Sequence, residues 1–363
     1  MTYILDLPIN IPIIGKDEIH AVVDVLESGI LTSAAKFGGP AVRSLENIAC
    51  KFTGSKYTIA VNSGTASLQC ALHAFGIGLG DEVLLPSFTF VATANAVIAT
   101  GATPVFVDIL HKDFTIDLDD LRAKITTKSR AIIPVHLYGR IAHMDKICKI
   151  ASENNLKVIE DAAQALGSKL DGRYAGTIAD AGCFSMYPGK IITSGEGGLL
   201  VTDDEETRDA ILKIRNHGMV KGYDTETFGL NLRMPEIAAA IGRVQFGRLL
   251  EFIQARTKNA KLLTDLLNDT QINTPMLRDG EESNWSLYTV TLDEREKALK
   301  ALRDAKIGAA VYYPTPVHRL PFYTSKEQLP VTDWAAEHVL SLPIHPNVKV
   351  DDLERIANIL SKF

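Results

Sequence analysis

Between residues 57 and 159 the chain alternates short apolar runs with amphipathic ones, and this alternation limits the folds open to it more than any other feature. Strand-like runs at Tyr57–Val61, 82–85, 104–107, 130–135 and 157–159 are separated by helical periodicity at 66–75, Ala92–Ala99, 118–125 and 144–154. Two parallel strands need a long crossover between them, and a helix of this length supplies it. The alternation therefore predicts an α/β protein with a mainly parallel, seven-stranded-type sheet flanked by helices. Residues 182–186 and Gly198–Thr202 supply two further strands around a glycine-rich turn, and 205–216 reads as a helix.

Upstream of the alternation, residues 16–27 place Ile19, Val22, Val23 and Leu26 on one helical face, and a second amphipathic run ends near Phe52. Downstream, a helical run starts near Met234 and continues past Ala260. Residues 285–292 then read as a strand, 294–304 as a helix, 308–312 as a short strand and 350–359 as a closing helix. The expected organisation is a large domain over residues 1–250, with an N-terminal arm, and a smaller C-terminal α+β domain over 251–363.

Composition enters where it excludes partners. The formal net charge is −6, with no dense Lys/Arg run, which argues against a nucleic-acid binder. The N-terminal stretch lacks a basic region followed by a long apolar core, and no window is long and apolar enough to span a bilayer, so no membrane partner is expected and the location is read as cytoplasmic. Cysteines at 50, 70, 148 and 183 lack CxxC spacing and suit buried thiols in a reducing compartment; no metal is expected.

Several residues carry chemistry, each beside a plainer reading. Ser63-Gly64-Thr65 follows a strand and opens a helix, where unpaired N–H groups and the helix dipole attract phosphate; it is equally an ordinary N-cap. Gly76, Gly78 and Gly80 follow a helix and precede a strand, the reverse of a dinucleotide fingerprint. Gly189-Lys190 is not a Walker motif, since Ile191 replaces the hydroxyl residue. Asp161 ends an apolar strand, the edge where α/β sheets bind ligands; it can hold a protonated heterocyclic nitrogen or favour a helix N-terminus. Lys190, in a turn between two strands, becomes a nucleophile if burial lowers its pKa, or is one more solvated lysine. Phe88 and Phe90 are core residues or a stacking platform for a flat ring. Ser185 and Gln164 are surface polar residues or hydrogen-bond partners of a ligand, and the histidines at 136, 217 and 318 lack metal-ligand spacing.

The segments SGTAS, PSFTFVATANAV, GATPVFVD, PVHLYG, VIEDAAQALGS, CFSMYPGKIITSGEGG, NHG, GLNLRM and YPTPVH occur in this order. Together they resemble the DegT/DnrJ/EryC1/StrS aminotransferases, fold-type I pyridoxal phosphate enzymes that aminate keto groups on nucleotide-linked sugars. The likeness runs from about Leu31 to the C-terminus. It implies that Lys190 is the Schiff-base lysine, that Asp161 partners the ring nitrogen and that Phe90 stacks on the ring. It also implies that Gln164 approaches the ring's 3-oxygen, where many members have histidine, and that Gly64, Thr65 and Ser185 bind the phosphate. Asn231 would reach that phosphate from a second subunit, making a homodimer with shared sites, and His318 would border the substrate pocket.

The expected activity is transfer of an amino group from an amino acid, glutamate by resemblance, to a nucleotide-diphosphate keto-sugar such as a 4-keto-6-deoxyhexose. A keto-cyclitol aminotransferase and a non-catalytic cofactor-binding regulator are the alternatives. A dehydratase on the same fold is disfavoured, because those relatives replace the lysine with histidine.

Overall fold

The computed structural model describes residues 5–323 and 325–363. Its centre is a seven-stranded sheet built from β1 (Tyr57–Val61), β2 (Glu82–Pro86), β3 (Thr103–Val107), β4 (Ser129–Ile132), β5 (Lys157–Asp161), β6 (Ala181–Ser185) and β7 (Gly198–Thr202), in the order β1-β7-β6-β5-β4-β2-β3. Only β7 runs against the others, pairing antiparallel with both β1 and β6. Successive side chains leave the sheet on opposite faces, so the strands feed two cores. Leu84, Ile132 and Val158 pack on one side against α2 (Pro40–Thr53), α6 (Met144–Glu153) and α8 (Glu236–Gly247). Val83, Leu85 and Ile159 pack on the other against α3 (Gly64–Ala74), α4 (Ala92–Ala99) and α7 (Glu205–Ile214). The expected α/β sheet with helices on both faces is thus formed.

A further core surrounds a two-stranded antiparallel pair, β8 (Tyr288–Thr291) with β9 (Val339–Leu342). α9 (Leu249–Leu267) buries Leu249 and Phe252 in the sheet's core and Ala260, Leu263 and Leu267 in this one. We propose the division between the two units near its start. Leu7 also belongs to this C-terminal core, and its backbone bridges Ile307.

Local expectations fail at three places. The helix from 234 past 260 is two helices, α8 and α9, broken at Arg248, whose φ of −102° and ψ of 0° follow the flexible Gly247. The strand at 308–312 reduces to a bridge between Ala310 and Ser341, because the arm occupies the backbone before it: the Gly308 N–H donates to Leu7 O. The apolar stripe Ile19, Val23 and Leu26 of α1 (Lys16–Ser28) faces outward, while Glu18 and Ala21 turn inward. Glu18 is satisfied there by the Gly15 N–H and the Gln245 amide.

The acidic pair ending β5 is split by the pleat. Glu160 is fully buried and accepts from the N–H groups of Gly176 (2.8 Å), Ile178 (2.6 Å) and Ala179 (2.8 Å) and from His136 Nε2 (2.8 Å). His136 Nδ1 accepts the Ala142 N–H, so its proton sits on Nε2. Glu160 therefore fastens the 176–179 loop beneath the sheet and leaves Asp161 free to face the other way. Glu160→Gln places an amide donor against these donors and should cost about 1.5–3 kcal/mol of stability, read from denaturant unfolding.

Candidate active site

The site is assembled at the carboxyl ends of the central strands, where an α/β sheet leaves a crevice for ligands. Asp161, 5% exposed, accepts at Oδ2 from Thr93 Oγ1 (2.7 Å) and at Oδ1 from the Ala163 N–H (3.2 Å). Thr93, near the start of α4, spends its proton on Asp161, so Thr89 donates to it in turn at 3.0 Å. Burial pushes the Asp161 carboxyl above its ordinary value of 3.8, outweighing these donors and the positive charge of Lys190. Thr93 was not singled out in the sequence, and its link to a residue 68 positions away follows no spacing rule.

Lys190 sits in the turn after β6, with its N–H bonded to Tyr187 O at 2.8 Å. The residue is half-buried, and burial lowers its pKa below 10.5, against the pull of Asp161. Among the described residues its Nζ has no hydrogen-bonding or ion-pair partner. Asp161 and Lys190 are thus brought into electrostatic reach of each other with both charges disfavoured by their surroundings.

At β1, Ser63 caps α3 by accepting the Ala66 N–H at 3.1 Å, and the Ser67 N–H reaches Ser63 O. This leaves the Gly64 and Thr65 N–H groups as the open donors of the first turn. Gly64 lies against Ser185, at the end of β6: a Cβ added at Gly64 would stand 2.7 Å from Ser185 Cβ. The two segments therefore meet, with open donors and a hydroxyl at one point, which is a fitting cradle for phosphate.

Phe90, at the opening of α4, is 54% exposed, its ring beside that of Tyr313 with centroids 5.9 Å apart. Phe88, by contrast, is fully buried and belongs to the core. Gln164 accepts the Tyr138 N–H at 2.8 Å, so its amide nitrogen is the end turned toward the site, where it donates to Tyr313 Oη at 3.1 Å. Asn231 is exposed, and its carbonyl accepts from Asn62. His318 is not brought to the site's surface: it is 1% exposed, with Nδ1 2.7 Å from Ser87 Oγ and Nε2 3.6 Å from Asp333.

An open platform ring, an unpaired amine, a buried carboxylate and a phosphate cradle on one sheet edge define the class of site that holds a flat, phosphorylated, nitrogen-containing cofactor with a carbonyl group. Residues 12–361 match the DegT/DnrJ/EryC1/StrS aminotransferase family. The chain is 37% identical over 336 residues, 92% of it and 91% of the relative, to UDP-N-acetyl-3-dehydro-alpha-D-glucosamine 3-aminotransferase of Acidithiobacillus ferrooxidans. It is 34% identical to GDP-perosamine synthase of Escherichia coli O157:H7, covering 98% of each chain. Among solved structures, a DegT DnrJ EryC1 StrS aminotransferase from Brucella abortus superposes with a TM-score of 0.91 at 32% identity, covering 96% of this chain and 95% of that one. Spr1654 from Streptococcus pneumoniae, in its pyridoxamine phosphate form, gives 0.93 at 28% identity, covering 98% and 97%. This chain belongs to the DegT/DnrJ/EryC1/StrS aminotransferase family. It is an aminotransferase whose cofactor is pyridoxal 5'-phosphate.

The raised Asp161 pKa has a consequence for the apoprotein. Above pH 3.8 the native carboxyl binds a proton that the unfolded one has lost, so stability falls as pH rises through the interval up to the raised native value. Asp161→Asn removes that fall. The difference in Tm between variant and parent apoprotein should therefore grow as pH rises through the interval and level off above it, measured by calorimetry of both proteins from pH 4 to 8.

Proposed function

We propose that this protein transfers an amino group from an amino acid to a nucleotide-diphosphate keto-sugar, with Lys190 and Asp161 carrying the chemistry. The observation behind this reading is the unpaired Lys190 amine, its pKa lowered by burial, in electrostatic reach of the buried Asp161 carboxylate beside the exposed Phe90. Pyridoxal phosphate, when bound, supplies an electron sink for the carbanion formed at the donor's α-carbon. The residues do the rest. Asp161 holds a proton on the ring nitrogen, an ion pair that repays its own burial. Thr93 orients Asp161, Phe90 stacks on the ring, and Gln164 offers its amide N–H to the 3-oxygen. Gly64, Thr65 and Ser185 receive the phosphate. Lys190, with its pKa lowered, would hold the cofactor through its aldehyde and, once freed as an amine, would move a proton, first as base and then as acid.

Glutamate is the donor proposed from the family resemblance, and a 4-keto-6-deoxyhexose the acceptor. A 3-keto sugar is the second reading, favoured by the relative named as a 3-aminotransferase. We also propose a homodimer whose sites are shared, with Asn231 reaching the partner's phosphate and His318 bordering the substrate pocket from behind its wall. The outward-facing Ile19, Val23 and Leu26 and the exposed Asn231 support the dimer. A cytoplasmic location fits the reducing setting that four free cysteines suit; among the described residues no helix is long and apolar enough to cross a membrane.

Purified protein given glutamate and a panel of 3-keto and 4-keto nucleotide sugars and keto-cyclitols should release 2-oxoglutarate with one nucleotide-sugar class, with products assigned by NMR. Lys190→Ala should abolish this turnover; activity with cyclitols alone, or retained by Lys190→Ala, overturns the reading. For the shared sites, Lys190→Ala mixed with Asn231→Ala and refolded together should regain turnover that neither variant has alone, since one site of the mixed dimer is then intact.

A further inference from the structure

Arg256, on α9, is 3% exposed and has no carboxylate partner among the described residues. Its Nη1 donates to the carbonyls of Trp285 (3.2 Å) and Ser286 (3.4 Å), and its Nη2 to Asn10 Oδ1 (2.6 Å). Burial lowers its pKa to about 10. A guanidinium held only by neutral acceptors is costly to bury, so its retention calls for a use beyond packing.

The use is visible one step further along. With its Oδ1 turned to the guanidinium, Asn10 has its amide nitrogen fixed on the opposite side, and Nδ2 donates to Pro188 O at 3.2 Å. The guanidinium's positive charge beside the oxygen polarises the amide and strengthens that donor. Pro188 lies in the turn that carries Lys190, closed by the bond from the Lys190 N–H to Tyr187 O. Past the lysine the same loop is tied again: the Thr193 N–H reaches Gln245 Oε1 at 3.4 Å, and Gln245 Nε2 holds the arm at Ile13 O at 2.8 Å. Arg256, Pro188, Lys190 and Thr193 line one cavity of about 10 Å³, room for a single water at most. The lysine turn is thus tied to the arm on both sides of Lys190.

We propose that Arg256 is a positioning residue for Lys190, acting through Asn10 and the carbonyl of Pro188. It rests on the reading of Lys190 as the cofactor lysine. Condensation of the Lys190 amine with the cofactor's aldehyde forms a C=N bond and releases the carbonyl oxygen as water. That step needs the amine in place, whereas binding of pyridoxamine phosphate, which has no aldehyde, does not.

Asn10→Asp separates positioning from packing. Its carboxylate still accepts from Arg256 and neutralises it, but presents an oxygen instead of an N–H to Pro188 O. Apoprotein is mixed with pyridoxal phosphate and the visible band followed, while pyridoxamine phosphate affinity is titrated by fluorescence. Relative to parent, N10D should slow band formation about fivefold or more, change pyridoxamine phosphate affinity less than twofold, and keep Tm at or above the parent value. R256M should slow band formation similarly, with a lowered Tm. Equal band formation in N10D and parent overturns the inference, as does equal weakening of both cofactor forms. If the parent itself forms no band, it is the reading of Lys190 that fails.

Discussion

Two opposite charges withdrawn from water without touching set the terms for this structure. Asp161 and Lys190 attract each other, yet neither forms a direct bond to the other, and burial disfavours the charge on both. A direct ion pair would quench the amine's reactivity by keeping it protonated. Separation leaves the Lys190 amine easier to deprotonate, as the proposed nucleophile requires, and leaves the Asp161 carboxyl without a bound cation. The scaffold accepts this cost and compensates around it: Thr93 and the Ala163 N–H on the carboxylate, and the doubly tied loop around the lysine.

The pleat of β5 makes the arrangement possible. Glu160 and Asp161 are neighbours in sequence, but one is consumed by three backbone N–H groups and a histidine, and the other is left with a hydroxyl and a weak backbone contact. A buried carboxylate fully satisfied by fixed donors is structural, because no donor can leave it. One with spare acceptor capacity can accept a hydrogen bond from a ligand's protonated nitrogen. The same contrast separates Phe88 from Phe90, two residues apart: one ring is sealed in the core and the other is open.

How much of this was legible in the sequence follows from what each feature depends on. The strand ends and Ser63–Thr65 rest on local periodicity and capping, which neighbouring residues reveal. Thr93 was missed because its value comes from meeting Asp161 across the sheet edge, which no local pattern encodes. The break at Arg248 was missed because apolar spacing continues through it, and only packing against two separate cores distinguishes α8 from α9. The apolar face of α1 was found but its direction was not: periodicity shows which side chains share a face, and only the buried Glu18, satisfied by Gly15 and Gln245, shows which face turns inward.

That reversal connects with the open groups of the site. Apolar residues left outward on α1, an exposed asparagine at 231 and an uncovered ring at 90 are each ordinary as single surface residues. They are less ordinary together, beside buried groups that do find distant partners, such as Glu160 and Arg140, the latter paired with Glu281 through two bonds of 3.0 Å. A flat ring answers for Phe90 and a phosphate for the open turn of α3. An apolar surface answers for α1. In the function proposed above the first two are the cofactor's, and a second copy of this chain covers the third.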